Sequence, residues 1–436
     1  MSREIGKVLG TADAQPLDFW VAVPADEVVQ LDDVVLVRRE LKNGITVSLY
    51  GMVDMLVARH EGARLETDIF LASDGVLPLT HAVKAHVIVT RVEPEVFVPP
   101  LPGLDQVPVL TSDTLWGLRT LPRRLLVLGG GPIGCELAQA MARLGSQVTL
   151  VERAPRLLLR EDPEVSALVA EAFAAEGIVL HLGHEALRFE PAAAGTPADG
   201  DGPVLLASRD GQTLRIGFDA VLVAVGRTAN LRGYGLEALG LADGKTVEVN
   251  GWLQTRFPNV YAAGDVAGPY QFTHTAAHQA WYAAVNALLD PFKRFEADYR
   301  VIPWTVFTDP EVARVGLNET EARERGVAVE VTRYPLDDLD RAIADGSTRG
   351  FVKVLTPPGS DRILGATIVG EHAGELLAEF VLALRHGLGL NKILGTIHIY
   401  PTLAEANKYA AGEWKRAHAP ARLLAWARRY HDWKRR

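Results

Sequence analysis

Residues 125–152, LLVLGGGPIGCELAQAMARLGSQVTLVE, constrain the fold more than any other stretch. Four consecutive apolar residues, 125–128, have the length and character of a strand buried on both faces, and three glycines cut them off. Beyond the glycines Ile133, Leu137, Ala140, Met141 and Leu144 recur at helical spacing, and Gly145 closes the expected helix. A second apolar run, 148–151, ends on Glu152. The period changes from strand to helix and back, which predicts a βαβ unit in a parallel sheet.

Gly129, Gly131 and Gly134 carry the spacing G-x-G-x-x-G directly after a strand and at the start of a helix. The first glycine permits a tight turn, the second lets backbone approach a diphosphate, and the third lets the helix lie close to the strand. The peptide amides around Pro132 and Ile133, together with the helix dipole, then form a hollow for an anion. Glu152 follows about twenty residues on, where a carboxylate accepts hydrogen bonds from ribose hydroxyls and repels a 2′-phosphate. Arg153 beside it has the opposite preference. The expected ligand is therefore NAD(H), with NADP as the alternative.

The length of 436 residues accommodates several domains. A net charge of −9 argues against nucleic-acid binding by the surface as a whole. The single cysteine, Cys135, falls inside the expected helix, where burial of a small side chain explains it. One cysteine gives no disulfide framework and no cysteine-based metal cluster within the chain, so no metal site is expected and reducing surroundings are the default. Residues 1–10 lack an apolar signal core and no apolar run reaches spanning length, which points to a cytoplasmic protein.

Residues 1–100 read as β throughout: short valine-rich runs are punctuated by Gly, Asp, Asn and Pro, and Asn43-Gly44 is a hairpin signal. Six or seven such strands predict a small closed barrel. The segments IGKVLGTADAQPLDFWVAV, QLDDVVLV, YGMVDMLVARHEGAR and AHVIVTRVEPEVFVPP resemble the N-terminal barrel of HerA-type DNA-translocating ATPases. That resemblance implies an assembly surface only, because no G-x-x-x-x-G-K-[ST] motor loop occurs in the chain.

After the junction VPPLPGLDQVP come TLPRRLLVLGGGPIGCELA, FDAVLVAVGRTAN, FPNVYAAGDVAG, VFTDPEVARVGL and HIYPTLAEANKYAAG. In that order they resemble the pyridine nucleotide-disulfide oxidoreductases, especially the mercuric-reductase-like and dihydrolipoyl-dehydrogenase-like members. The resemblance implies hydride transfer from a nicotinamide to FAD, then electron transfer to a redox disulfide or another acceptor. It also implies a homodimer formed by the C-terminal domain. On this reading a strand at 220–225 ends at Gly226 and Arg227, where the chain returns from the NAD domain, with Arg227 a candidate ligand contact. A strand at 259–263 leads to Gly264 and Asp265, with Asp265 bonding the ribityl chain of FAD and Gly264 allowing close approach; a helix follows at about 275–288. Residues 191–203 read as a surface loop. Strands at 304–307, 350–355 and 364–369 and a helix at 374–386 would form the interface domain.

In the family's C-terminal motif a histidine precedes Pro-Thr, and a glutamate four residues past the proline orients it. The corresponding residues here are Tyr400, Pro401, Thr402 and Glu405. A phenol, with a reference pKa of about 10, is a poor base near neutral pH. If this stretch is a strand, His398 shares a face with Tyr400 and is the candidate substitute; a packed or exposed histidine without that role is the alternative. The family's N-terminal FAD fingerprint and its pair of cysteines do not occur in residues 1–100, leaving the Asp265 region as the expected flavin contact.

The sequence therefore predicts a multi-domain chain. A β-barrel (1–100) and a linker (101–120) precede an α/β Rossmann-like NAD-binding domain (121–230) and a remnant of an FAD-binding domain (231–299). An α+β dimerisation domain (300–420) and a basic amphipathic tail (421–436) complete it. In the tail Leu423, Trp426, Tyr430 and Trp433 share one helical face, suited to an anionic membrane surface or to a partner, with a terminal helix packed on its own dimer and a solvated basic side as the alternative. The expected function is an incomplete FAD/NAD(P)-dependent oxidoreductase, binding NAD(H) with weak or lost turnover of an unidentified small-molecule acceptor. A homo-oligomer, dimeric through the C-terminal domain and larger through the barrel, is expected, with no specific nucleic acid. The alternatives are a barrel-driven assembly protein with a vestigial nucleotide domain, and a non-functional chimera joined at 98–103.

Overall fold

The computed structural model describes residues 101–192, 202–232 and 235–435 in full and, ahead of them, the backbone of five strands. The five are β1 (Lys7–Val8), β2 (Asp18–Val23), β3 (Val34–Glu40), β4 (Thr46–Glu61) and β5 (Thr80–Glu93). They pair antiparallel in the order β1-β2-β5-β4-β3. The β3–β4 hairpin begins at the pair Glu40↔Thr46, around the expected Asn43-Gly44 turn, which itself lies outside the described residues. The closed barrel is corrected to an open sheet among the described residues. Closure requires a ladder between edge strands, and β1 and β3 stand at opposite edges.

The chain divides into two compact units: Met1–Phe97 with Thr228–Gln271, and Val98–Arg227 with Phe272–Arg436. Within the first, Leu231, Leu241 and Val247 form a small cluster packed by Phe257, Val260 and Val266. The expected strand at 259–263 is reduced to one bridge, Gln254↔Tyr261, because the Val260 N–H turns back to the Phe257 carbonyl at 3.0 Å.

In the second unit β6 (Val109–Leu110), β7 (Arg124–Leu128), β8 (Gln147–Glu152), β9 (Val179–Leu182) and β13 (Ala220–Val223) form a parallel sheet in the order β6-β13-β7-β8-β9. The crossovers are α1 (Pro132–Arg143) and α2 (Pro163–Ala175). A meander of β10 (Glu185–Glu190), β11 (Val204–Arg209) and β12 (Gln212–Gly217) covers the other face. Leu125 and Val127 pack with the helix-side core, whereas Leu126 and Leu128 join Phe189, Leu205 and Phe218 under the meander. Burial on both faces explains the unbroken apolar run of β7.

The buried face of α1 is Gly134, Cys135, Ala138 and Met141, one residue around from the face expected, and Leu144 is largely exposed. Close approach decides this. A Cβ at Gly134 would lie 1.9 Å from the Gly129 carbonyl oxygen, so the helix lies on the strand through its smallest side chains and the larger ones move to the flanks.

After α3 (Thr273–Leu289) the chain forms a second sheet, antiparallel, in the order β14-β15-β18-β17-β16. These strands are β14 (Pro303–Val306), β15 (Glu311–Gly316), β16 (Glu330–Pro335), β17 (Phe351–Thr356) and β18 (Gly365–Gly370). The helices in this part are α4 (Glu319–Glu324), α5 (Asp340–Asp345), α6 (Ala373–Arg385), α7 (Leu390–Leu394), α8 (Glu405–Ala417) and α9 (Ala421–Lys434). One face of the sheet packs Val352, Val354 and Ile368 against Leu377 and Phe380 of α6 and Trp414 of α8. From the opposite face Phe351 and Val369 enter the core of the nucleotide domain.

Buried charge locks these two domains together. Lys353 on β17 is 1% exposed, and its Nζ donates to Asp162 at 2.6 Å, Glu164 at 2.6 Å and Glu319 at 2.8 Å. Asp162, at the start of α2, also accepts from the Thr320 N–H and hydroxyl at 3.1 and 3.0 Å. Arg314, fully buried, lies 3.0 Å from both Glu161 and Glu321, with its guanidinium 4.2 Å from the centre of the Trp304 ring. Burial alone would raise the carboxyl of Asp162 and depress Lys353; their mutual hydrogen bond reverses both, holding Asp162 below and Lys353 above the ordinary values.

Three outcomes follow. Lys353→Met strands three carboxylates at the domain junction and lowers unfolding free energy at pH 7 by about 3–5 kcal/mol in urea titrations. A depressed Asp162 stabilises the fold above the ordinary aspartate value of 3.8, so the gap between wild type and variant closes as pH falls through and below it. Gly134→Ala forces helix from strand and costs about 3 kcal/mol in the same measurement.

Candidate functional site

The glycine turn joins β7 to α1 at the C-terminal edge of the parallel sheet, where a dinucleotide is held in folds of this topology. Gly129 has φ +103°, and a Cβ there would meet the Ala224 carbonyl oxygen at 2.5 Å. Gly134 is blocked by Gly129 itself. Gly131 differs from both: its backbone is extended (φ −78°, ψ −178°), and a Cβ there meets nothing within 4 Å. The first and third glycines are thus required by the protein's own packing, and the second borders open space.

Pro132 is the first residue of α1 and is exposed; Ile133 is half-buried beside it. No side chain caps this helix start, so the first-turn amides and the positive end of the dipole face outward. Glu152 is half-buried at the end of β8 and accepts the Gly130 N–H at 2.5 Å and the Ala154 N–H at 2.6 Å. It therefore holds the turn in shape. Each carboxylate oxygen has a second acceptor direction, which a ribose hydroxyl suits. Arg153 next to it is exposed. The donor set and the open cradle fit the diphosphate and sugar of a nicotinamide dinucleotide.

Four other expected residues stand around or apart from this turn. β13 ends beside it, the Ala224 N–H donating to the Leu128 carbonyl at 2.8 Å, and Gly226 (φ +146°) and Arg227 follow as exposed residues. Gly264, at φ +80°, and Asp265, half-buried, form a short turn in the other unit.

Cys135 lies one residue past Gly134. It is fully buried, its thiol donates to the Gly130 carbonyl at 3.3 Å, and burial, then the charges of Glu136 and Glu152, push its pKa far up. It is a packing residue.

Sequence reading passed over Glu136, one helical position further on. Burial raises its carboxyl, opposed by the Phe307 N–H that it accepts at 3.0 Å. Gln139 and Arg143 continue the contact, exchanging hydrogen bonds with Asp309 at 2.7–2.9 Å. The only sequence signal was a polar stripe at helical spacing in an otherwise apolar helix.

The C-terminal motif does not assemble as expected. Residues 395–404 between α7 and α8 are irregular, so His398 and Tyr400 do not share a strand face. Pro401 has no N–H for a ladder, and among the described residues no strand runs alongside. The Tyr400 hydroxyl donates to Asp340 at 2.9 Å, and this bond raises its pKa further from neutrality. Glu405 is 5% exposed and accepts instead from the Thr402 N–H and the Tyr409 hydroxyl, both at 3.3 Å. His398 has its Nε2 3.0 Å from Glu379 and its Nδ1 3.0 Å from the Thr396 carbonyl. The three candidates thus have separate partners. A cleft of about 580 Å³ beside this motif, lined by Arg341, Glu371, His372, Leu376 and Thr402, shares no residue with the glycine turn. A diphosphate site is marked by convergent amides rather than by depth.

Comparison with known proteins identifies the family. The pyridine nucleotide-disulphide oxidoreductase family model matches residues 44–280, and the dimerisation-domain model of the same family matches residues 302–411. The first match begins well inside the stretch read as a HerA-type barrel, so from residue 44 the oxidoreductase likeness replaces that reading. A dihydrolipoyl dehydrogenase of Chlamydia muridarum is 34% identical over 334 residues, 76% of this chain and 69% of the relative. A mercuric reductase of Streptomyces lividans is 38% identical over 315 residues, 72% of this chain and 64% of the relative. The structure of the HOCl-induced flavoprotein disulfide reductase RclA from Escherichia coli superimposes with a TM-score of 0.65 at 28% identity, covering 73% of this chain and 71% of that one. The chain thus spans roughly two thirds of the length of these relatives, and it belongs to the pyridine nucleotide-disulphide oxidoreductase family.

Proposed function

We propose that the chain is an NAD(H)-binding oxidoreductase that works as a homodimer and does not use thiols of its own to pass electrons on. The observation that carries this reading is the contrast among the three glycines: two are closed by backbone, and Gly131 alone faces an open hollow at a helix start. The amides of that turn would hold the diphosphate, and Glu152 would take the adenosine ribose and disfavour a 2′-phosphate. Bound there, NADH supplies a hydride. For FAD, Gly264 and Asp265 are the contact that the family resemblance assigns. Arg227 would meet the nucleotide from the end of β13.

The chain's one cysteine is buried, with its thiol pKa raised, so a dithiol exchange has no attacking thiolate here. Reduction of an acceptor by direct electron transfer, with slow turnover, is the reading consistent with that. Tyr400, tied to Asp340, and His398, tied to Glu379, serve the motif's architecture in place of a histidine–glutamate pair.

Titration of the protein with NADH, followed by nucleotide fluorescence, tests the site. Gly131→Glu places a carboxylate in the open hollow and weakens binding by about a hundredfold, a few kcal/mol of charge repulsion, with an unchanged melting curve. Unchanged affinity would remove the assignment. NADPH binds more weakly than NADH to the wild type, and Glu152→Ala narrows the difference. Thiol titration with an aromatic disulfide at pH 8 labels no cysteine in the native protein and one after denaturation.

A further inference from the structure

We infer that α9 is an interfacial helix that docks the protein on an anionic phospholipid surface. It follows α8 after a short break and carries no buried residue, although Leu423, Trp426, Tyr430 and Trp433 are 57%, 64%, 44% and 71% exposed. At 100° per residue these four side chains fall within an arc of about 80°. The rings of Trp426 and Tyr430 stack at 6.0 Å and those of Tyr430 and Trp433 lie 6.1 Å apart, so they form one continuous apolar strip. Leaving such a strip in water is unfavourable, and its composition says what covers it.

Arg422 and Arg429 border the strip on one side and Lys434 on the other. The helix's one acid, Asp432, is paired with Arg435. Among the described residues no carboxylate lies within ion-pair distance of Arg422, Arg428, Arg429 or Lys434. Residues 415–436 hold eight Lys or Arg against that single acid, in a chain whose net charge is −9. Tryptophan and tyrosine at the centre with flexible cations at the border match the boundary between headgroups and acyl chains. The cations supply attraction to anionic lipid and the rings supply burial. A nucleic acid would use the cations and leave the apolar strip uncovered.

One further observation favours lipid over a second copy of the chain, and another sets how the helix would lie. The dimerisation-domain match ends at residue 411, so α9 is an addition beyond the shared interface. No helix among the described residues is long and apolar enough to cross a membrane, which leaves α9 lying on a surface, about 21 Å of it parallel to the plane.

Co-sedimentation of the full chain with sucrose-loaded vesicles tests this. Binding is expected to vesicles containing phosphatidylglycerol, with little to pure phosphatidylcholine, and to weaken as salt is raised. Trp426→Ser with Trp433→Ser lowers the partition coefficient by about tenfold or more, and Arg422→Glu with Arg429→Glu does the same. Both variants keep the wild-type melting curve and the molar mass by light scattering, since neither touches a buried residue. Equal partition of wild type and variants overturns the inference. A change in molar mass in the tryptophan variant assigns the strip to a second copy and overturns it too, as does tight binding of duplex DNA without any preference for anionic vesicles.

Discussion

Everything in the larger unit depends on two buried cations at the junction of its domains. Lys353 on β17 and Arg314 on β15, the two strands that flank β18 in the antiparallel sheet, reach carboxylates that precede and open α2. Removing such charges from water is unfavourable, and the balance is restored only when several acceptors converge with good geometry. Apolar surfaces can slide over one another; a lysine held by Asp162, Glu164 and Glu319 at 2.6–2.8 Å cannot. The relative angle of nucleotide domain and interface domain is fixed as a result. Glu136, Gln139 and Arg143 add a second row of contacts from α1 itself, so the helix that starts at the glycine turn is referenced directly to the β14–β15 corner.

The glycine turn is held by a charge as well. Glu152 bonds the amide of Gly130 and that of Ala154, which makes the carboxylate part of the turn's construction before any ligand arrives. A preorganised cradle of this kind loses little freedom on binding an anion. Near the C-terminal motif the arrangement is different: each of Tyr400, Glu405 and His398 is engaged by a separate partner, Asp340, Tyr409 and Glu379. The nucleotide side of the site is built by the chain's own packing, and the motif side is tied into the interface domain.

The βαβ unit was legible because its information is local. A doubly buried strand, a helix at 3.6-residue period and glycines at fixed offsets each leave a mark within a dozen residues. Three of the five strands of the interface domain, β14, β17 and β18, and α6 were legible for the same reason and fall within a residue or two of their expected limits. The buried face of α1 was misread by one position. Hydrophobicity pointed to Ile133 and Leu137, but the 1.9 Å approach at Gly134 selected Cys135 and Ala138. The N-terminal barrel turns on a non-local question: among the described residues no ladder joins the two edge strands, and alternation predicts strands without saying whether they meet. The condition for His398 and Tyr400 to share a face, a strand, is not met, because among the described residues no strand runs beside them to pair with.

The sequence alone determined that a glycine turn of dinucleotide-site spacing follows β7 and that an acid ends β8. Both follow from periodicity and from the steric freedom of glycine. It likewise determined that no thiol pair is available in this chain and that the last residues concentrate positive charge on an aromatic helix. Only the tertiary structure decided which glycine faces open space, which carboxylates share Lys353, and that the residues of the C-terminal motif point to different partners. Those outcomes depend on atoms far apart in the chain, such as Asp162 and Lys353, whose meeting is set by how two sheets pack and leaves no trace in the order of residues.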